Sequence, residues 1–311
     1  NVTKIYAPGD ATIVKISSSE HKVGGFTDYK IILFPCKTYS LEFSHVQVLS
    51  DELQAIFDEQ EASGVKVCDE YTTGGETYEL CHYTGLSISV KAGEYLGTFG
   101  GNKKMNSLDV WAWDYSKVSN TFASIYAEGG DKAYAVCPLN EFSAPKKKTL
   151  EDRLGSPDGK FKREDEPLCG KFTQDIPNYA QGQWYRQGQE NSGSEDPHIT
   201  FGHDNVKPEI GVFSIGTSIP DIGGSIQMFD EPVFEEGVFN RDFSQVTNNG
   251  KTYCYKTHPK YPKDPTELTP GSILIKMTSA KTILVEYRKN FDCESTGTYK
   301  IDGENSVIFV R

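Results

Sequence analysis

Lys66-Val67-Cys68-Asp69-Glu70-Tyr71-Thr72-Thr73-Gly74-Gly75-Glu76-Thr77-Tyr78-Glu79-Leu80-Cys81 reads as one β-hairpin. Gly74-Gly75 suits a two-residue turn, because primed turns demand positive φ. Counting outward from it, Thr73 faces Glu76, and five steps further Cys68 faces Cys81. Alternation makes that last pair a non-hydrogen-bonded one, where Cα atoms approach to about 4.5 Å. That separation is within disulfide reach. The stretch therefore predicts antiparallel β-structure, a Cys68–Cys81 bridge and an oxidising compartment.

Working outward, the same pattern fills the chain. Short runs rich in Val, Ile, Tyr and Phe, separated by Gly, Pro or Asp, predict strands. From Tyr6 to about Phe142 they cover 11–16, 29–34, 40–45, 86–90, 96–99, 108–113 and 133–136. One helix interrupts them over 50–63. Ser50 caps it, Asp51 and Glu52 favour its first turn, Leu49, Leu53, Ile56 and Phe57 form its apolar stripe, and Gly64 ends it. Residues 144–167 are charged and poor in large apolar side chains, which predicts a linker with one helical turn at 150–154. Strands resume at 183–185, 198–203, 211–215, 225–229, 251–256, 273–277, 283–288, 297–301 and 307–310, the last four as a meander. Closing roughly eight strands removes exposed edges, so 168–311 is expected to be an antiparallel β-barrel, with a sandwich as the alternative. The fold class is all-β, mostly antiparallel, with one short inserted helix (50–63) and the hairpin (65–83) inside a first domain of 1–143.

Charge narrows the function classes. The net charge of -12 argues against nucleic acid, and the single run Lys146-Lys147-Lys148 is too short to reverse it. No apolar run nears the 18–20 or so residues of a membrane span. The chain starts at Asn1 without Met or an apolar signal core, which leads to the expectation that a leader was removed or never included. Asn1-Val2-Thr3 fits a glycosylation acceptor only as a short chance pattern. Of seven cysteines, none forms C-x-x-C, which lowers the prospect of zinc ribbons and redox dithiols. Cys254 with Cys293 and Cys137 with Cys169 are the further expected bridges, leaving Cys36 unpaired.

Three segments of the first domain carry a resemblance. Tyr6-Ala7-Pro8-Gly9-Asp10-Ala11-Thr12-Ile13-Val14, Phe43-Ser44-His45-Val46 and Val90-Lys91-Ala92-Gly93-Glu94-Tyr95-Leu96-Gly97-Thr98-Phe99-Gly100 stand in the order of "Y-A-P-x-x-G-x-V", "Y-x-H-L" and "V-K-x-G-x-x-I-G-x-x-G". Over roughly 5–114 the chain thus resembles the LytM-type zinc endopeptidases that cut peptidoglycan cross-links. That resemblance implies a β-sandwich or barrel and a site of two histidines and an aspartate on Zn²⁺, with a further histidine assisting the water. Zinc of this kind needs imidazole and carboxylate ligands and an open position. The family's H-x-H strand should follow Gly100, and Ser107-Leu108-Asp109-Val110-Trp111-Ala112-Trp113-Asp114 holds no histidine there. Its H-x(3)-D pair should precede Tyr6, where neither residue occurs. His45 alone remains of the family's polar set, with Asp109 a possible substitute ligand. A degenerate, non-catalytic scaffold without metal or cofactor is expected.

Other chemistry is absent too. Gly223-Gly224-Ser225 is not a nucleophile elbow, and no Walker or dinucleotide glycine pattern occurs. Glu235-Glu236 and Glu164-Asp165-Glu166 read as solvated, and Asp175 and Asp204 as loop organisers. His198 and His203 are five apart, on opposite faces of a strand. Gly182-Gln183-Trp184 resembles the G-x-W of lipocalin-like barrels, where Trp184 is expected as a buried core anchor and, in the alternative, as the wall of a small apolar ligand site. Trp111 and Trp113 share one strand face, and they are core if the inserted helix fills that face and an anchor for a partner segment if it stays open. With His45, Asp109 and Tyr115 they are the expected binding residues for a protein partner or a second copy. The function expected is that of a secreted, non-catalytic binding or structural protein, a subunit of an extracellular assembly. The alternatives are a small-ligand carrier and a zinc peptidase.

Overall fold

The computed structural model describes residues 2–62, 67–73, 75–83, 85–127, 130–156, 158–191, 197–230, 237–259, 271–294, 297–301 and 303–311. Gly64, Gly74, Glu235 and Glu236 and part of the Gly188–Pro197 loop lie outside them. By contacts the chain divides into two units, 1–119 with 131–143, and 120–130 with 144–311. The sequence boundaries had kept 120–130 in the first.

The first unit pairs two sheets. The larger has the order β10 (Asp109–Asp114), β4 (Tyr39–Val46), β3 (Phe26–Cys36), β2 (Ala11–His21), β7 (Glu76–His82) and β6 (Val67–Thr73), with β8 (Ile88–Val90) also on β2. The smaller is β1 (Val2–Tyr6), β9 (Tyr95–Gly100) and β5 (Val48–Leu49), with β9 central. Their inner faces share one core, in which Ile13, Ile31 and Leu33 from the large sheet meet Ile5 and Leu96 from the small one. Each such buried side chain contributes about 1.5–3 kcal/mol. Helix α1 (Asp51–Ala62) adds Leu53 and Phe57 to that core, and Ser50 caps it through the Leu53 amide at 3.3 Å. Gly97 is required where β5 pairs with β9, because a Cβ there would run into the Val48 carbonyl.

The hairpin register is the one counted from the sequence. Cys68 faces Cys81 and Thr73 faces Glu76, and the disulfide closes across Cα atoms 4.2 Å apart. Cys254 and Cys293 are bridged at 5.8 Å. Cys137 and Cys169 are both disulfide-bonded, and Cys36 is free and exposed.

The second unit is built on a closed antiparallel barrel in chain order: β11 (Gly182–Arg186), β12 (Ile199–His203), β13 (Ile210–Ile215), β14 (Ser225–Asp230), β15 (Tyr253–Pro259), β16 (Gly271–Ser279), β17 (Thr282–Lys289) and β18 (Val307–Val310). β18 returns to β11, with Tyr185 opposite Val310 and Arg186 opposite Phe309. The barrel holds side chains. Phe201, Phe213, Phe229, Phe243 and Tyr255 are all fully buried. Phe243, from a short 3-10 turn between β14 and β15, lies within 4.9–5.2 Å of the other four rings. At the barrel's seam Arg311 is 4% exposed and stacks 3.9 Å from the centre of the Trp184 ring. It donates to the carbonyls of Ile176 at 3.1 Å, Tyr179 at 2.8 Å and Ala180 at 3.2 Å, and also to that of Gln181. The Trp184 indole donates to Ala180 at 2.7 Å. Gly182 lets Asp175 lie close against the start of β11, since a Cβ there would strike it.

Three expectations need correction. Residues 133–136 are not a strand but a 3-10 turn (Asp131–Tyr134) and a single bridge from Ala135 to Trp113. Residues 297–301 do not enter the meander: β17 pairs directly with β18. Tyr299 there folds back, its hydroxyl bonding the Glu294 backbone, and with Phe291 and Ile301 it packs over the Cys254–Cys293 bridge. The linker is structured as well. Helix α2 (Ala144–Glu151) starts six residues before the turn expected at 150–154. Phe161 lies beneath the Lys207 ammonium at 3.6 Å.

Candidate functional site

At the N-terminal end of β10 the large sheet gathers four titratable side chains, contributed by four strands. His45 Nδ1 is 2.6 Å from the Asp28 carboxylate, and its Nε2 is 3.6 Å from Asp109. His21 Nε2 lies 3.5 Å from the same Asp28 oxygen, but makes no aligned hydrogen bond. The His21 ring stacks on Phe26 at 4.0 Å. Asp28 and His21 are buried, His45 is about a quarter exposed and Asp109 about half.

The backbone explains how His45 arrives there. Pairing of β3 with β4 slips between Tyr29 and Ile31, and His45 has φ of 66°, in the left-handed region. A bulge of this kind re-aims a side chain that strict alternation would point elsewhere. Asp109 is brought alongside because it pairs with Ser44.

The hydrogen bond to Asp28 raises the His45 pKa above its ordinary value, with burial opposing. A raised histidine contributes stability that is fully present below the unfolded pKa of about 6.5 and is lost as pH rises through the folded value. Urea midpoints are therefore expected to fall as pH rises above about 6.5, and to lose most of that slope in His45→Gln. Asp28→Asn removes the one carboxylate serving both imidazoles and should cost about 2–3 kcal/mol at pH 6. A His45→Gln slope equal to that of the wild type would show that this contact is not the source.

Zinc of the LytM kind is not what these groups fit. Nδ1 of His45 is committed to Asp28, Nε2 faces Asp109, and the second imidazole reaches only the shared carboxylate. Among the described residues, no three His, Cys, Asp or Glu side chains are arranged to hold a metal ion.

The aromatic residues follow on the outer face of the same strand. Trp111 and Trp113 stack at 6.4 Å with an interplanar angle of 16°. Trp111 is 40% exposed, so this pair is not core. Beneath it, Lys30 pairs with Glu42 at 2.9 Å, Ser44 donates to Glu42 at 2.7 Å, and Glu42 lies opposite Trp111 in the register. Tyr115 has turned off the strand, stacking on Phe34 at 6.4 Å and tilting against Tyr134 at 5.4 Å. The five expected residues are thus split. His45 and Asp109 join one cluster, the tryptophans form a separate surface, and Tyr115 belongs to the packing beyond it.

Asp28 goes unmarked in the sequence, and His21 reads there as a polar-loop residue, whereas it ends strand β2. The available signal was an acid flanked by Thr27 and Tyr29 at a strand's start, with a histidine seven residues before it. Two of the barrel-unit histidines are separately occupied. His198 accepts from the Arg186 amide at 3.2 Å, and His203 lies 3.8 Å from Asp242. No described helix is long and apolar enough to cross a membrane. No family model, curated protein or solved structure matches this chain.

Proposed function

We propose that this chain is a non-catalytic, extracellular binding protein whose first unit keeps a LytM-like scaffold and has turned its polar site to structural use. The observation that carries this reading is the closed cluster around His45, each ring nitrogen of which faces a carboxylate. A hydrolytic site needs an open position for an activated water, and this arrangement leaves none prepared. Three features support placement outside the cell: the Cys68–Cys81 bridge, the Cys254–Cys293 bridge and the oxidised Cys137 and Cys169. The exposed Trp111 beside Trp113 supports a role in protein association, as rigid aromatic anchors do at interfaces. The barrel gives the carrier alternative less support, because five aromatic rings occupy the interior where a small apolar molecule would lie.

Isolation from the native source tests this with three readouts. The protein should contain well under one equivalent of zinc, leave peptidoglycan uncut, and run as an assembly larger than its 34.6 kDa chain. Stoichiometric zinc held by His45, or a clean monomer with no partner at any concentration, would overturn the reading.

A further inference from the structure

At the opposite, C-terminal end of β10 the first unit has a groove of about 440 Å³, bounded by the β3–β4 turn, Asp114 and the segment around Pro138–Phe142. Pro35, Pro138 and Phe142 make its walls apolar, and Asp114 and Glu141 give it negative charge. Cys36 opens into it. This is the free, exposed cysteine in a chain whose other six are oxidised, and its thiol makes only a 3.9 Å contact with Thr38. An odd, accessible thiol among bridged cysteines suits pairing with another molecule.

A second observation comes from Tyr39, which also lines the groove. The residue is 9% exposed, yet its buried hydroxyl has no hydrogen-bond partner. Leaving such a group unpaired costs about 1–3 kcal/mol, which an arriving acceptor would recover. Desolvation, and then the charges of Glu141, Asp114 and Cys36, push its pKa to about 12. Tyr39 lines the groove together with all three of those groups, and the phenol remains a donor at any physiological pH.

We propose that this groove receives a cysteine-bearing peptide segment of neutral or positive charge, which Cys36 captures as a mixed disulfide while Tyr39 donates to a carbonyl of the segment. The partner arrives already in a disulfide. The Cys36 thiolate attacks one of its sulfurs, the new Sγ–S bond forms as the old S–S bond breaks, and the second sulfur leaves as a thiolate that takes a proton from water. No other oxidant is needed. Asp114 and Glu141 disfavour anionic partners. Lys117, 3.6 Å from Asp114, offsets part of one charge, and Lys37 is not among the lining residues. This inference does not depend on the His45 cluster, which lies at the other end of the strand.

The test uses the full chain at low salt with three disulfides. Cystine diamide is cationic and carries carbonyls, cystamine is cationic without them, and oxidised glutathione is anionic with them. Modification of Cys36 is followed by peptide mapping. Each rate is divided by that of an unstructured peptide spanning Phe34–Tyr39. The normalised rate for cystine diamide should exceed that for oxidised glutathione by about tenfold, shrinking as salt is added. Glu141→Gln should narrow that preference. Tyr39→Phe should slow the diamide several-fold and leave cystamine unchanged. Equal normalised rates, an inert Cys36, or a Tyr39→Phe effect equal for diamide and cystamine would each overturn the proposal.

Discussion

Arg311→Ala should destabilise the barrel unit by about 3–4 kcal/mol, among the largest effects expected from any single change. The guanidinium serves four backbone carbonyls and the face of Trp184. Ala180 keeps the Trp184 indole, Ile176 the Tyr179 amide and Gln181 the Ile176 amide. The main loss is therefore the charge-assisted bond to Tyr179, worth about 1.5–3 kcal/mol, and the lost cation–π contact adds about 1–2 kcal/mol in a desolvated setting. Burial pushes the Arg311 pKa down to about 10, which still leaves the cation intact at neutral pH. Arg311→Lys keeps the charge but lacks the planar fork, and should recover less than half of the loss. Urea unfolding followed by near-ultraviolet circular dichroism is the measurement. A loss under about 1 kcal/mol for the alanine variant would mean that the carbonyls find other donors.

Phe243→Ala should cost about 3–5 kcal/mol, as truncations of buried aromatics do. The reason is geometric: this ring touches four others at the middle of the barrel, and strands cannot collapse to fill the space it vacates. The cavity should then accept benzene or a similar apolar probe, raising the variant's unfolding midpoint while leaving that of the wild type unchanged. The same experiment separates a packed barrel from a ligand carrier. A wild-type protein already stabilised by the probe would favour the carrier.

Much of this architecture was legible because burial is periodic. β18 and the Cys68–Cys81 register could be counted directly, since alternation and a glycine turn fix both. The second half of β2 could not. Ser17-Ser18-Ser19-Glu20-His21 has no apolar alternation, and it is a strand because β3 and β7 satisfy its backbone from either side. Residues 297–301 failed in the opposite direction: Tyr299 and Ile301 have strand-like chemistry, but their apolar surface is spent covering a disulfide. At the candidate site, His45 and Asp109 were visible as residues and Asp28 was not. Asp28 reaches His45 only because a bulge turns the histidine out of its pleat, and no spacing rule encodes a positive φ at a histidine. Trp184 was recognisable in a G-x-W triplet. Its partner Arg311 lies 130 positions beyond Gln181, too far for any local pattern.

The seam between β11 and β18 also sets a timetable. Tyr185 finds Val310 as its partner only after every intervening strand has been made. Until then the growing chain carries an open sheet with two unsatisfied edges and a row of aromatic side chains facing water. Long-range pairings of this kind must meet their loop-closure entropy before any contact rewards it. The barrel should therefore form late and slowly relative to the hairpin of β6 and β7, whose contacts are local. During synthesis at about 5–20 residues per second, the last hundred residues alone occupy several seconds. Through that interval the unfinished barrel is an aggregation hazard that a holding chaperone would relieve.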